Sequence, residues 1–494
     1  MAILRKVLFW VCVGAYLIVC PLTILYALGY VITPGAARGL VKTGLIHLAT
    51  TPPGAAIYVE QRRYTGTTPA SIRGLPPGHY QIVLTLPDHE PWSRRVSVEP
   101  EKATVLDTIL LLPQSWRPRA LLSDAFDDLL PVPATPYIIL ARQPTLGGMA
   151  VYDVRSGERR MLVDATSPYA GGELTWQATV KGSAVWLCRV RGRTGDRSLL
   201  IDLEHPDAGP RDVTSVLPMK PLRVTWDPRA PTQLFTLQEG YVNRVDTEAL
   251  AVYPRLAERV QGYGLLHHAL YVLTEDLAVQ RLDRQGRQVE TLFANPVAAK
   301  HLFTSRNFFG VQGLFDITPL SEEFLLCLGE RGELVAPGLP ERLVDAGVRG
   351  FAFDAPHRRL LIWRRDEIGV LDLPGADDVH ATNAPAVAVR WVWREGHDIA
   401  QAFWVHDGSY ALLRDQQTVF LLELDRTDGS ALHRVVQVRS GSAVAYVEEA
   451  GTLYYLDAET GRLSALEVVP RRALALPSLP TSADHELSVG GRPE

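Results

Sequence analysis

Two neighbouring histidines, His267 and His268, are the residues whose type best suits metal binding or proton transfer. On a strand, adjacent side chains point to opposite faces, so this pair cannot share one ion, and both read as structural. His89-Glu90 has no second histidine four residues on, and Pro91 would break the helix that such a zinc site needs. Glu322-Glu323 and Glu448-Glu449 offer paired carboxylates for acid–base work, but on strands they too would face apart. Asp377-Asp378-Val379-His380 lies in a stretch rich in Gly, Pro and Asn and reads as a solvated loop. Asp124, Asp127 and Asp128 surround Ala125-Phe126 in what reads as a short linking helix, whose N-terminal end favours acids. Gly262-Tyr263-Gly264 begins like a dinucleotide loop but lacks the third glycine and a following helix, so it reads as strand or turn. There is no Gly-x-x-x-x-Gly-Lys phosphate loop and no Gly-x-Ser-x-Gly elbow. The expectation is therefore no catalytic, cofactor-binding or metal-binding residue, and a protein that is not an enzyme. A site assembled from several structural repeats would leave no local motif and is the alternative.

The four cysteines add no framework. Cys12 and Cys20 lie in the apolar N-terminal stretch, while Cys188 and Cys327 are single and far apart. The latter two read as buried free thiols, with a disulfide between them as the alternative. Lys and Arg total 50 against 55 Asp and Glu, for a net charge of −5, which argues against nucleic acid as a partner. Hydrophobic residues at 47% and charged ones at 21% describe a folded chain, and 494 residues exceed one ordinary core.

The elements that would position any site come from a repeat. After Pro113 an apolar strand recurs that ends in Asp and runs into a turn: Val151-Tyr152-Asp153, Leu200-Ile201-Asp202, Arg244-Val245-Asp246, Arg281-Leu282-Asp283, Val370-Leu371-Asp372, Glu423-Leu424-Asp425 and Tyr455-Leu456-Asp457. Successive Asp positions differ by 49, 44, 37, 89, 53 and 32, and a degraded copy at Cys327-Leu328-Gly329-Glu330-Arg331-Gly332 fills the long gap. Units of this length, each with room for four short strands and no helical period, predict a β-propeller of seven or eight blades over residues 114–470. The last unit is short and is expected to share a blade with strands from the first. Each recurring Asp is expected to accept backbone N–H bonds across its turn. Val224-Thr225-Trp226-Asp227-Pro228 and Phe351-Ala352-Phe353-Asp354-Ala355 resemble strand starts of TolB-like propellers. Residues 471–494 read as a disordered tail.

Residues 44–113 show short strands split by Pro and Gly. Leu45–Ala49, Ala56–Val59, His79–Thr85 and Arg95–Val98 alternate apolar and polar residues, with turns at Pro52-Pro53-Gly54, Thr68-Pro69 and Pro76-Pro77-Gly78. Thr51-Pro52-Pro53-Gly54-Ala55-Ala56-Ile57-Tyr58-Val59, Gly66-Thr67-Thr68-Pro69, Leu75-Pro76-Pro77-Gly78-His79-Tyr80 and Asp88-His89-Glu90-Pro91-Trp92 together resemble the PEGA domain. The departure is Gln61-Arg62-Arg63, where the family usually turns its first hairpin on Gly, and a longer or differently shaped loop is expected there. The resemblance implies a small β module without enzymatic activity, of a kind found mostly outside the membrane in bacterial and archaeal envelope proteins.

Ahead of it, Leu8 to Ile32 carry no charge, a run long enough to cross a bilayer. Arg5 and Lys6 precede the run, and it exceeds a secretory signal core, so residues 1–43 are expected to be a short stub, an uncleaved transmembrane anchor and a linker. Lysines and arginines on both sides leave its orientation open; the PEGA resemblance implies the N-terminus inside and the bulk of the chain extracytoplasmic. The reading is a mainly β, membrane-anchored binding or scaffolding protein of the bacterial cell envelope. Its propeller would face a protein or polysaccharide, and a hydrolase or lyase with its site in the propeller channel is the alternative.

Overall fold

A computed structural model of the chain describes residues 2–27, 30–32, 40–179, 182–193, 195–227, 229–267, 269–275, 278–293, 315–321, 324–336, 344–373, 389–425 and 431–470. His268, Glu322-Glu323, Asp377-Asp378, His380 and the tail 471–494 lie outside them. The chain divides into two compact units, one holding the residues up to Leu112 and the other running from Pro113 to Val468.

The N-terminal helix spans Ala2–Ala27. Among the described residues no helix is long and apolar enough to cross a membrane. The uncharged run also does not form one span to Ile32. Tyr30–Ile32 is a strand paired antiparallel with Leu40–Lys42, as an aromatic followed by two β-branched residues favours.

The following β module stacks two sheets. One has the order Ala70–Leu75, Gly44–Thr51, Ala103–Leu110; the other has Arg62–Thr67, Ala56–Val59, Gly78–Thr85, Trp92–Val98. Ile46 and Leu48 of the first sheet meet Ile57, Ile82, Leu84 and Trp92 of the second in one buried core. Thr68 closes the first proline turn: its hydroxyl accepts from Ala55 N–H at 3.0 Å and lies 2.5 Å from that of Thr50. The Gln61-Arg62-Arg63 region is not a long loop. Val59 pairs with Arg62, so the turn has two residues, Glu60 and Gln61, both with positive φ (48° and 67°). That is the twist a two-residue hairpin requires, and glycine normally supplies it. Here the Glu60 carboxylate accepts from Gln81 N–H at 2.7 Å and ties the turn to the next strand.

Among the described residues, the second unit consists of four-stranded antiparallel meanders in chain order. Seven occupy residues 128–161, 173–212, 223–257, 260–293, 315–345, 350–393 and 399–437. In the eighth, Ala445–Val447, Thr452–Leu456 and Arg462–Glu467 take their fourth strand from Arg119–Ala125. The stretch expected as a linking helix is thus this closing strand followed by Asp128–Pro131, the first strand of the first meander. Their strand character depends on partners distant in the chain, which local acid placement cannot reveal.

Strands within the meanders are buried on both faces, each face against a different neighbour. In Gly195–Asp202, Leu199 and Ile201 pack on the first meander, while Leu200 packs on the third. The same alternation runs through Phe235 and Leu270, Tyr271 and Ile317, Leu326 and Leu360, and Leu361 and Ala411. Phe126, Leu129 and Ile138 then join Tyr454 and Leu463, so the eighth meander packs back on the first. Meanders stacked in a ring and closed by a strand from the opposite end of the domain define a β-propeller.

The first strand of each meander lies at the axis, where neighbours converge. Val260–Leu266 and Phe315–Pro319, both first strands, pair directly and parallel, joining Gly262 to Phe315 and Tyr263 to Asp316. Gly262 and Gly264 permit that approach: a Cβ on them would lie 2.4 and 2.3 Å from the carbonyl oxygens of Phe315 and Ile317. The glycines that begin like a nucleotide loop are therefore a backbone contact between two meanders.

Candidate functional site

Five of the seven recurring aspartates accept backbone N–H bonds across the turn, as their position at a strand end suggests. Asp153 accepts from Arg155 N–H at 2.9 Å, Asp202 from Glu204 at 2.9 Å, Asp246 from Ala249 at 2.9 Å, Asp283 from Arg287 at 2.8 Å and Asp457 from Thr460 at 2.9 Å. From Asp153 to Asp283 they follow the third strand of a meander, but Asp457 follows the second strand of the eighth. This accounts for the short final interval, which spans three strands (Leu432–Gln437, Ala445–Val447 and Thr452–Leu456) where the others span four. Arginines reach across to the same turns. Arg160 donates to Glu204 O at 2.9 Å, Arg211 to Thr247 Oγ1 at 3.2 Å and Arg390 to Leu424 O at 3.0 Å, each spanning to the next meander.

A second set of acids was not recognised as a group from sequence, although Glu448 was weighed there as one of a carboxylate pair. They stand in the turns after first strands, at one mouth of the axis: Asp227, Asp354, Asp407 and Glu448. Asp227 is buried and forms an ion pair with Arg284 of the next meander. Asp354 accepts from His357 at 2.8 Å and from Arg359 at 3.4 Å. Arg359 also donates to Gly408 O at 2.9 Å and lies 5.1 Å from the centre of the Trp404 ring, so it binds the sixth meander to the seventh. Gly408 has φ +69°, and a Cβ there would lie 2.3 Å from Arg359 Nη2.

Glu448 differs from these. It lies in a short 3-10 helix, Glu448–Ala450, and not on a strand, so the opposite-face objection to Glu448-Glu449 does not hold. Burial pushes its carboxyl above the usual range, and the negative charges of Asp354 and Asp407 push it further. Burial likewise raises the phenol of Tyr446, whose ring lies 6.4 Å from that of Phe403 on the neighbouring first strand. A carboxyl raised in this way keeps its proton to higher pH than an ordinary one, the direction that suits a proton donor. Among the described residues no group of three or more His, Cys, Asp or Glu is placed to hold a metal ion.

The remaining candidates lie apart. His267 occupies a turn with φ 49°, and His89 Nδ1 lies 2.8 Å from the carbonyl oxygen of Pro87. Cys188 and Cys327 are both buried free thiols. The recurrence of an acid after the first strand (Trp226-Asp227, Phe353-Asp354, Val447-Glu448) was the available signal for the mouth, but it is legible only once strand order within each meander is known.

The PEGA domain model matches residues 43–111, so the small β module is a PEGA domain. Among solved structures, the chain is similar to BamB from Moraxella catarrhalis, at 11% identity over 71% of this chain and 99% of that one, with TM-score 0.42. It is also similar to the Cps50 (Swd1) β-propeller domain of Myceliophteria thermophila, at 12% identity over 72% and 100%, with TM-score 0.38. No curated protein matches the chain. The propeller assignment rests on the sheet order and the ring of cores described above.

Proposed function

We propose that the chain is a membrane-anchored, extracytoplasmic binding or scaffolding protein of the bacterial cell envelope. The helix attaches it, the PEGA domain is a spacer, and the ring, read as eight blades, presents a rigid face to a protein or polysaccharide. The observation that carries this reading is the helix in front of the PEGA domain. Phe9, Trp10, Val11, Tyr16, Leu17, Ile18, Val19 and Ile24 are all more than half exposed along it. Burying one side chain of this size gains about 1.5–3 kcal/mol, so such a helix favours an apolar surrounding by on the order of 10 kcal/mol.

The test is protease treatment of intact spheroplasts expressing the full chain, followed by membrane fractionation. Cleavage of the large C-terminal part from outside, with a stub left in the membrane, supports the proposal. Protection until lysis would invert the topology, and recovery in the soluble fraction would remove the anchor.

The acid-lined mouth supports a second reading, a hydrolase or lyase using Glu448 as a proton donor. Assay of the purified chain against envelope glycans separates the two, because an activity lost in Glu448→Gln belongs to the enzyme and not to the scaffold.

A further inference from the structure

The closing strand carries a feature that ring closure does not need. Its pairing with Arg462–Glu467 skips between Ala120 and Ala125: Ala120 faces Ser464 and Ala125 faces Arg462, so five residues advance against two. The intervening residues bulge out of register, and bulges re-aim side chains. Here the bulge delivers Asp124 to two arginines of the first meander. Its Oδ2 accepts from Arg142 Nη2 at 2.7 Å and is also bound by Arg159 Nη1.

Both arginines line a cavity of about 280 Å³ whose floor includes Ala150, Met161 and Ala170. Gly147 closes one wall, its N–H donating to Ala170 O at 2.8 Å, and a Cβ on it would lie 2.9 Å from that oxygen. The Arg142 guanidinium lies 5.4 Å from the centre of the Phe126 ring, which fixes its plane. Asp124 occupies one nitrogen of each guanidinium, and the arginine side chains remain 48% and 34% exposed. Two forked cations against one carboxylate leave a positive excess at a pocket whose lining mixes polar side chains (Arg142, Gln143, Thr145, Arg159) with apolar ones (Phe126, Ala150, Met161). A pocket this small suits one chain end or one small molecule and not a run of polymer.

We propose that this seam cavity is a binding site for a carboxylate carried beside a small apolar group. The carboxylate pairs with the N–H edges of Arg142 and Arg159 that Asp124 leaves open, and the apolar group sits on Ala150 and Met161. The ligand is either the C-terminus of a polypeptide or a free organic acid.

Calorimetric titration of the full chain in detergent uses three probes: N-acetyl-alanyl-leucine, its C-terminal amide and 4-methylpentanoate. The peptide acid is expected to bind about tenfold more tightly than its amide. Equal binding of 4-methylpentanoate identifies a free acid as the source, and binding of the peptide acid alone identifies a chain terminus. Arg142→Gln, at a half-exposed position, should weaken binding about tenfold, and Arg159→Lys should weaken it by loss of the fork. Asp124→Asn should strengthen it several-fold by releasing both guanidiniums, even though the seam itself loses an ion pair. Equal binding of acid and amide, no binding of any probe at millimolar concentration, or weaker binding in Asp124→Asn would overturn the assignment.

Discussion

Replacing Gly264 by alanine should loosen the ring at one defined seam. The added methyl would lie 2.3 Å from Ile317 O and 2.8 Å from Pro319 Cδ, atoms of the neighbouring meander's first strand. Ordinary contact needs about 3.4 Å or more, so the two first strands must part by about 1 Å, enough to break hydrogen bonds of the parallel pair. That pair joins Gly262 to Phe315 and Tyr263 to Asp316. Each lost bond costs about 1 kcal/mol, and thinner packing around the fully buried Tyr263 and Phe315 adds a similar amount. The total is about 2–4 kcal/mol, or a lowering of the propeller's thermal midpoint by about 3–5 °C. Near- and far-ultraviolet circular dichroism melts of the full chain would measure it. Gly171→Ala is the control, because a Cβ there meets nothing within 4 Å. If Gly264→Ala melts with the control, the parallel contact contributes nothing, and the account of Gly262 and Gly264 is wrong.

Three further outcomes follow from the same packing. Phe126→Ala empties the core joining the eighth meander to the first and should cost about 3–5 kcal/mol in a denaturant melt; a loss under about 1 kcal/mol would mean the ring does not close there. Glu448 has its carboxyl raised in the folded state, first by burial and then by Asp354 and Asp407, so the native state holds the proton more tightly than the unfolded chain. Stability from this group is therefore present below the ordinary carboxyl value and is lost as pH rises through the raised one; Glu448→Gln should flatten that slope of thermal midpoint against pH. Cys188 and Cys327 are fully buried, and burial pushes the Cys327 thiol up to about 12, so neither should react with a thiol reagent until denaturant unfolds the ring. Rapid labelling of either in the native protein would place it outside the cores described.

What sequence could and could not reveal follows from how far apart in the chain the partners lie. The Asp-ended strands were legible because acceptor and donor sit two to four residues apart, as in Asp246 with Ala249 N–H. The PEGA turns were legible through their own Pro and Gly residues, such as Gly54 with φ +94° after Pro52-Pro53. The acids Asp124, Asp127 and Asp128 around Ala125-Phe126 were read as a short helix because nothing in these residues marks a strand; the strand Arg119–Ala125 takes its identity from Arg462–Glu467, at the other end of the domain. Asp124 was noticed as one of three acids near Phe126, yet its partners Arg142 and Arg159 gain meaning only when the bulge aims it at them. The turn at Glu60-Gln61 shows the converse: a family pattern predicted a glycine, and the chain reached the same left-handed geometry through a hydrogen bond from Gln81. The acids at the mouth share this dependence on strand order. Asp227 and Glu448 look alike in sequence, but Asp227 has its charge countered by Arg284, whereas Glu448 stands beside the further negative charges of Asp354 and Asp407. Any chemistry the ring performs will therefore depend on which neighbours closure brings to each repeat, because the repeats themselves are nearly equivalent in kind.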